Sequence, residues 1–203
     1  MQEIKRKMDK YSRYIFIIPF VLFIVDYLLI HYSVIKPVDR YIYELTQLMK
    51  CDVMTNFFKL CSFLGSTYFY VTAIVILMIV KSKKDLYTGI HLLIIQGINR
   101  IIKFIVKRPR PDKIYHLVVE TIYSFPSGHS MSAMAGYGFF MIELKNSQCQ
   151  YKNILMFMAG LMIFLIGLSR IYLGVHYFSD VIGGYLLSLS YLLFVYYNTS
   201  FYA

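Results

Sequence analysis

Six apolar runs, each close to the length that crosses a bilayer, constrain this chain more than anything else in it. They fall at about residues 14–31, 60–80, 86–106, 128–143, 154–171 and 176–197, against the roughly 20 apolar residues that a spanning helix requires. Hydrophobic residues make up 58% of the 203 positions and charged residues only 16%, where soluble domains carry about 25%. In hydrocarbon each backbone amide must find its partner inside the segment, so such runs fold as helices. The expectation is an all-α polytopic membrane protein: a six-transmembrane-helix bundle forming a single membrane-embedded domain over residues 1–203, with the lipid bilayer as its surroundings.

The first run follows Lys5, Arg6, Lys7, Lys10 and Arg13, the pattern of a signal peptide. The run is long and no small-residue cleavage site follows it, so it reads as an uncleaved anchor. A formal net charge of +10 raises the question of nucleic acid, but no basic patch is interleaved with stacking aromatics. The cations gather at helix ends, as positive-inside anchoring and anionic headgroups require. No nucleic-acid partner is expected. Tryptophan is absent, so Tyr11, Tyr14, Tyr68, Tyr70, Tyr196 and Tyr197 are candidates for the interfacial belt. Cys51, Cys61 and Cys149 have no metal-type spacing; free thiols are expected, with a Cys51–Cys61 bridge as the alternative. Asp26, inside the first run, has no evident partner and is read as structural. Nothing in the sequence addresses oligomeric state.

Residues 38–49 place Val38, Tyr41, Ile42, Leu45, Leu48 and Met49 at helical spacing, with Asp39, Arg40, Glu44 and Gln47 between them. This predicts a short interfacial amphipathic helix between spans one and two, or a connector packed on the bundle.

Three polar segments sit at the ends of apolar runs. The first is Lys103-x6-Arg110-Pro111, where Pro109 and Pro111 stop the third helix and hold Arg110 on a stiff exit. A lysine point charge and an arginine fork together suit several phosphate oxygens. Lys107 and Arg108 between them read as ordinary basic residues snorkelling at a helix end. The second is Pro126-Ser127-Gly128-His129, with Ser127 at the start of the fourth helix. Free N–H groups and the positive dipole end make an anion cradle, Gly128 allows close approach, and His129 lies in the first turn. The third is Ser169-Arg170-x5-His176-x3-Asp180. His176 and Asp180 are four apart on one helical face, so the carboxylate can fix one imidazole nitrogen and leave the other as a nucleophile. Each segment alone also has a structural reading: snorkelling cations, a common Ser-Gly helix start, an Asp–His pair.

Together the three segments resemble the signature motifs of the type 2 phosphatidic acid phosphatase superfamily, complete, in order and at helix ends. The resemblance covers about residues 60–195. Ser124-Phe125 before the second motif and Ile171-Tyr172-Leu173-Gly174-Val175 within the third are typical of bacterial members, while Phe178 stands where many members carry proline. It implies an integral membrane phosphatase that hydrolyses a lipid phosphate or diphosphate through a phosphohistidine. Phosphatidylglycerol phosphate, phosphatidate and undecaprenyl diphosphate are the candidates, the last slightly ahead. His176 would be the nucleophile, Asp180 its orienter and His129 the general acid and base. Lys103, Arg110, Ser127, Gly128 and Arg170 would bind the phosphate, with no metal and no cofactor. Discounting the ligand cations, loop charges favour both termini inside, which puts the site toward the outer face of a bacterial plasma membrane. A lipid phosphotransferase using the same intermediate, or a non-catalytic lipid-phosphate binder or transporter, are the alternatives.

Overall fold

In the computed structural model, which describes residues 11–80 and 83–199, no strand occurs among the described residues. The helices are α1 (Ile17–His31), α2 (Lys36–Gln47), α3 (Asp52–Leu64), α4 (Thr67–Val80), α5 (Lys83–Val106), α6 (Gly128–Lys145), α7 (Lys152–Tyr172) and α8 (Phe178–Asn198). Lys5, Arg6, Lys7 and Lys10, which precede the first apolar run, lie outside the described residues. Three described helices are long and apolar enough to cross a membrane: Leu86–Val106 within α5, then α7 and α8. α1 and α2 meet the test only as a pair, and they meet at a bend of 93°.

The run expected as a single second span is two helices. Gly65 caps the end of α3, and the Ser66 hydroxyl accepts the Phe69 N–H at 3.2 Å to open α4. A helix-stop glycine beside a capping serine was therefore written inside the apolar run.

α2 lies where an amphipathic helix was expected, but its inner side is not apolar. Asp39 and Thr46 are its buried residues, while Val38, Tyr41, Leu45 and the following Leu48 and Met49 are exposed. The helix lies against α7 and α8, sets its Asp39 carboxylate on Ser179 of α8, and turns its apolar side outward.

The central core joins Phe23, Tyr70, Ile95, Phe125, Met131 and Phe139 with Leu187, Leu192 and Val195. In lipid such packing is driven by van der Waals fit rather than by water, which favours small residues at helix crossings. Ala133, Ala135 and Gly138 on α6, and Gly183, Gly184 and Ser188 on α8, are buried there.

Three local choices bring the polar segments together. α5 ends at Val106, and Lys107 takes φ of 52° before Pro109, which disfavours helix at the residue it follows. Gly174, at φ of 72°, closes the turn between α7 and α8. A Cβ there would come within 2.2 Å of the Tyr115 carbonyl, so only glycine lets the 107–127 loop pack on this turn. The Leu117 N–H then donates to the Leu173 carbonyl at 3.0 Å. Finally, the Ser127 N–H donates to the Asp180 carbonyl at 2.9 Å, tying the start of α6 to the first turn of α8.

Candidate active site

Arg110 fixes the tautomer of His176. Its Nη1 lies 3.1 Å from His176 Nε2, and a guanidinium only donates, so Nε2 carries the lone pair and Nδ1 the proton. That proton faces two acceptors, Ser124 Oγ at 3.3 Å and Asp180 Oδ2 at 3.4 Å. The Ser124 hydroxyl itself donates to Asp180 Oδ2. Asp180 is fully buried and densely bonded: Oδ2 also accepts the Tyr177 N–H at 2.9 Å, and Oδ1 accepts Arg108 Nη1 at 2.6 Å. A carboxylate at the third position of α8 that caps its own helix start is held by both the dipole and the hydrogen bond. Burial, then the nearby cations led by Arg110, hold the His176 imidazole well below its ordinary value of 6.5, so it stays neutral.

Arg108 was expected to snorkel, and it does not. It is largely buried, donates to Ser179 Oγ and Asp180 Oδ1 through Nη1 and to Asp39 Oδ2 through Nη2, and lies 4.3 Å over the Tyr177 ring. Burial lowers its proton affinity, but Asp180 and Asp39 together outweigh that and raise it, so the cation is secure. Asp39 in turn accepts the Ser179 N–H and hydroxyl, both at 2.8 Å. Arg108 thereby ties α2, the start of α8 and the Asp180 carboxylate together.

The other cations surround a second carboxylate. Glu120 accepts from Arg170 Nη2 through Oε1 and from Arg110 Nη2 through Oε2, the latter at 3.3 Å. Arg170 also donates to Ser62 Oγ on α3, and its buried Nε has no hydrogen-bond partner among the described residues. Arg110 further donates to the Ile122 and Val175 carbonyls, and its burial, above all, lowers its proton affinity. Lys103 is 5% exposed and donates to the Tyr123 and Ser124 carbonyls, fastening the loop that carries Glu120.

Ser127 caps α6: its Oγ accepts from Ser130 Oγ at 2.9 Å and lies 3.4 Å from the Ser130 N. The N–H groups of Gly128 and His129, in the first turn, have no acceptor within their own helix. His129 lies within electrostatic reach of Arg170, His176, Arg110 and Lys103, with its side chain beside the position of Gly65. Of the residues expected from the sequence, Lys103, Arg110, His129, Arg170, His176 and Asp180 thus converge, while the Ser127 hydroxyl is engaged within its own helix start. Arg108, Glu120, Ser124 and Asp39 join them without having been expected. Asp26 is buried, its Oδ2 unpartnered among the described residues and packed beside Gly183 of α8. The three cysteines are free. No group of three His, Cys, Asp or Glu suited to a metal ion exists among the described residues.

Two hollows reach the centre. One, of about 720 Å³, runs between α2 and the 108–115 loop past Tyr115, Arg108 and Tyr177 to His176. The other, of about 320 Å³, opens over Arg110 and Glu120 beside Lys113 and Tyr123. A neutral imidazole with a directed lone pair, flanked by guanidiniums and a helix start, is equipped to receive a phosphoryl group.

The PAP2 superfamily model matches residues 84–202. Phosphatidylglycerophosphatase B of Bacillus subtilis (strain 168) is 32% identical over 180 residues, covering 84% of this chain and 87% of that protein. Dolichyldiphosphatase 1 of Mus musculus is 34% identical over 99 residues, 44% of this chain and 42% of its own length. The crystal structure of the first transmembrane PAP2 type phosphatidylglycerolphosphate phosphatase from Bacillus subtilis matches with a TM-score of 0.80 at 29% identity, covering 91% of this chain and 94% of that one. Aquifex aeolicus LpxE, 24% identical, shares the fold at a TM-score of 0.60 over 72% of this chain and 87% of its own. With a family model matched over more than half its length and a relative similar over most of it, this chain belongs to the PAP2 superfamily.

Proposed function

We propose that this membrane phosphatase removes the terminal phosphate of a membrane lipid, without a metal, through a phosphohistidine on His176. The observation that carries the reading is the His176 Nε2 lone pair, fixed by Arg110 on one side of the ring and by Ser124 and Asp180 on the other. As Arg110 Nη1 leaves Nε2 for an oxygen of the entering phosphate, Nε2 attacks phosphorus in line, forming the N–P bond as the bond to the lipid oxygen breaks. His129 gives its proton to the departing oxygen. It then takes a proton from water, whose oxygen attacks phosphorus and breaks the N–P bond. Arg110, Arg170 and Lys103, with the first-turn N–H groups at Gly128, neutralise the equatorial oxygens. The Ser127 hydroxyl serves through the helix start that it caps.

The candidate substrates are phosphatidylglycerol phosphate, phosphatidate and undecaprenyl diphosphate. Similarity to phosphatidylglycerophosphatase B over most of both chains supports the first; the shorter match to dolichyldiphosphatase 1 supports a polyprenyl diphosphate. Six spans in one domain of the bacterial plasma membrane would count α3–α4 as a single broken span. α2 would lie at the outer boundary, its apolar side to lipid, and the larger hollow would admit the headgroup. Phosphate release by the purified protein in detergent, across a panel of lipid mono- and diphosphates with a chelator present, tests the reading. Activity in the chelator that is abolished in His176→Ala is the expected result. Dependence on added metal, or substantial turnover by the variant, would overturn it.

A further inference from the structure

Glu120 holds the two arginines that the proposed mechanism assigns to the phosphate. One of its oxygens is on Arg170 and the other on Arg110, and the same Arg110 engages the His176 lone pair. Two carboxylate oxygens spread over two guanidiniums beside a nucleophile reproduce the contacts that two phosphate oxygens would make. The arginine side chains are 10% and 1% exposed and the glutamate 24%, so the carboxylate is the most accessible member of the trio. It belongs to the irregular loop between α5 and α6, and the smaller hollow, which it lines together with Lys113, leaves room for it to turn outward.

We propose that Glu120 is a specificity-determining residue: a resident carboxylate that fills the two-arginine seat between turnovers and yields only to a group of higher charge. Binding at this seat is an exchange of anions. A phosphodiester headgroup carries one negative charge, so displacing Glu120 trades one monoanion for another and still costs the headgroup its water. A terminal phosphate carries about 1.5 to 2 negative charges at pH 7, and gains attraction to both guanidiniums in a site where charges are weakly screened. Phosphodiesters are the bulk of the anionic headgroups around a bilayer enzyme, so a site of bare arginines would be occupied by them. Discrimination of this kind comes from what the wrong ligand fails to gain. The same carboxylate competes with the phosphate product and so favours its release.

This inference rests on Arg110 and Arg170 forming the phosphate seat, and the test separates the two claims. Purified wild type, Glu120→Gln and Glu120→Asp in detergent micelles are titrated with inorganic phosphate by calorimetry. Their phosphatase activity is then measured as dioleoylphosphatidylglycerol is added to the micelles. Glu120→Gln keeps the shape and loses the charge, and is expected to bind phosphate on the order of tenfold more tightly than wild type. The diester lipid is expected to inhibit Glu120→Gln competitively and to leave wild type and Glu120→Asp unaffected. Equal phosphate affinity in wild type and Glu120→Gln would overturn the proposal, as would tighter phosphate binding without inhibition by the diester. A fall in kcat alone would make Glu120 an orienting residue and also overturn it. Failure of every form, wild type included, to bind phosphate would instead remove the two-arginine seat itself.

Discussion

Arg108 leaves the third apolar run beside Lys107, a position where basic side chains ordinarily reach for headgroups. What turns it inward is a pair of carboxylates remote in sequence, Asp39 on α2 and Asp180 on α8. No local pattern contains that information, because Asp39 reads as one more polar residue on an amphipathic helix. Glu120 and Ser124 were hidden in the same way, lone polar residues in a loop whose partners come from other segments. His176, Asp180 and the motif arginines were legible because their spacing along a helix or beside a proline already dictates geometry. In the proposed mechanism Arg108 would act on His176 through Asp180, as a positioning residue. Replacing it with Gln should lower kcat by roughly 10–100-fold, the loss typical when the partner that orients a metal-bound histidine is removed, with KM little changed. Lysine should not rescue it, since a point charge cannot serve both carboxylates. Steady-state kinetics on one lipid phosphate decides this, and a change confined to KM would count against it. pH offers a second check. Burial and Arg110 lower the proton affinity of His176, so the neutral form persists as pH falls and the acid limb of kcat/KM should lie below 6.5. Arg110→Gln removes one cation, so the limb should move to higher pH; an unmoved limb would mean that another group sets it.

Among the elements, the turn between α7 and α8 has the least freedom. Gly174 combines a left-handed backbone with the Tyr115 carbonyl pressed against it, and through that contact the loop bearing Arg108 and Arg110 is held on the third polar segment. The sequence showed a glycine between two helices but not its neighbour, since the close approach depends on a loop 59 positions earlier in the chain. α2 makes the complementary point. Its helical period was readable, whereas the direction of its polar side was not, because that depends on Arg108 and Ser179 waiting beneath it. Gly174→Ala should cost about 1–3 kcal/mol from backbone strain, with the carbonyl clash in addition. It should lower the unfolding temperature in detergent and reduce activity together. A variant as stable and active as wild type would show that the 113–115 segment does not hold the site.

At the scale of the molecule, the apolar runs located the helices well, yet they overstated their uniformity. α3 and α4 share one run but are broken at Gly65 and Ser66, and this break faces the first turn of α6, with His129 against Gly65. α6 is rich in glycine, alanine and serine, so its apolar signal is weak even though it is central to the core. The result is a bundle whose helix ends, rather than its middles, meet around one imidazole, with a second imidazole at the start of α6. In the proposed reaction that placement separates two substrate classes by their need for a proton. A monoester expels an alkoxide, which must be protonated as it leaves; a diphosphate expels a phosphate, which is stable as an anion. Loss of a general acid typically costs about 10²–10⁴-fold where the proton is needed. His129→Ala should therefore reduce kcat/KM by that order on phosphatidate or phosphatidylglycerol phosphate, and by much less on undecaprenyl diphosphate, provided that formation of the phosphohistidine limits this parameter. The comparison is made within one variant and one detergent, so impaired folding would lower both substrates alike. Unequal losses in the stated direction place His129 on the leaving-group side, whereas equal losses in correctly folded protein would take it out of that role.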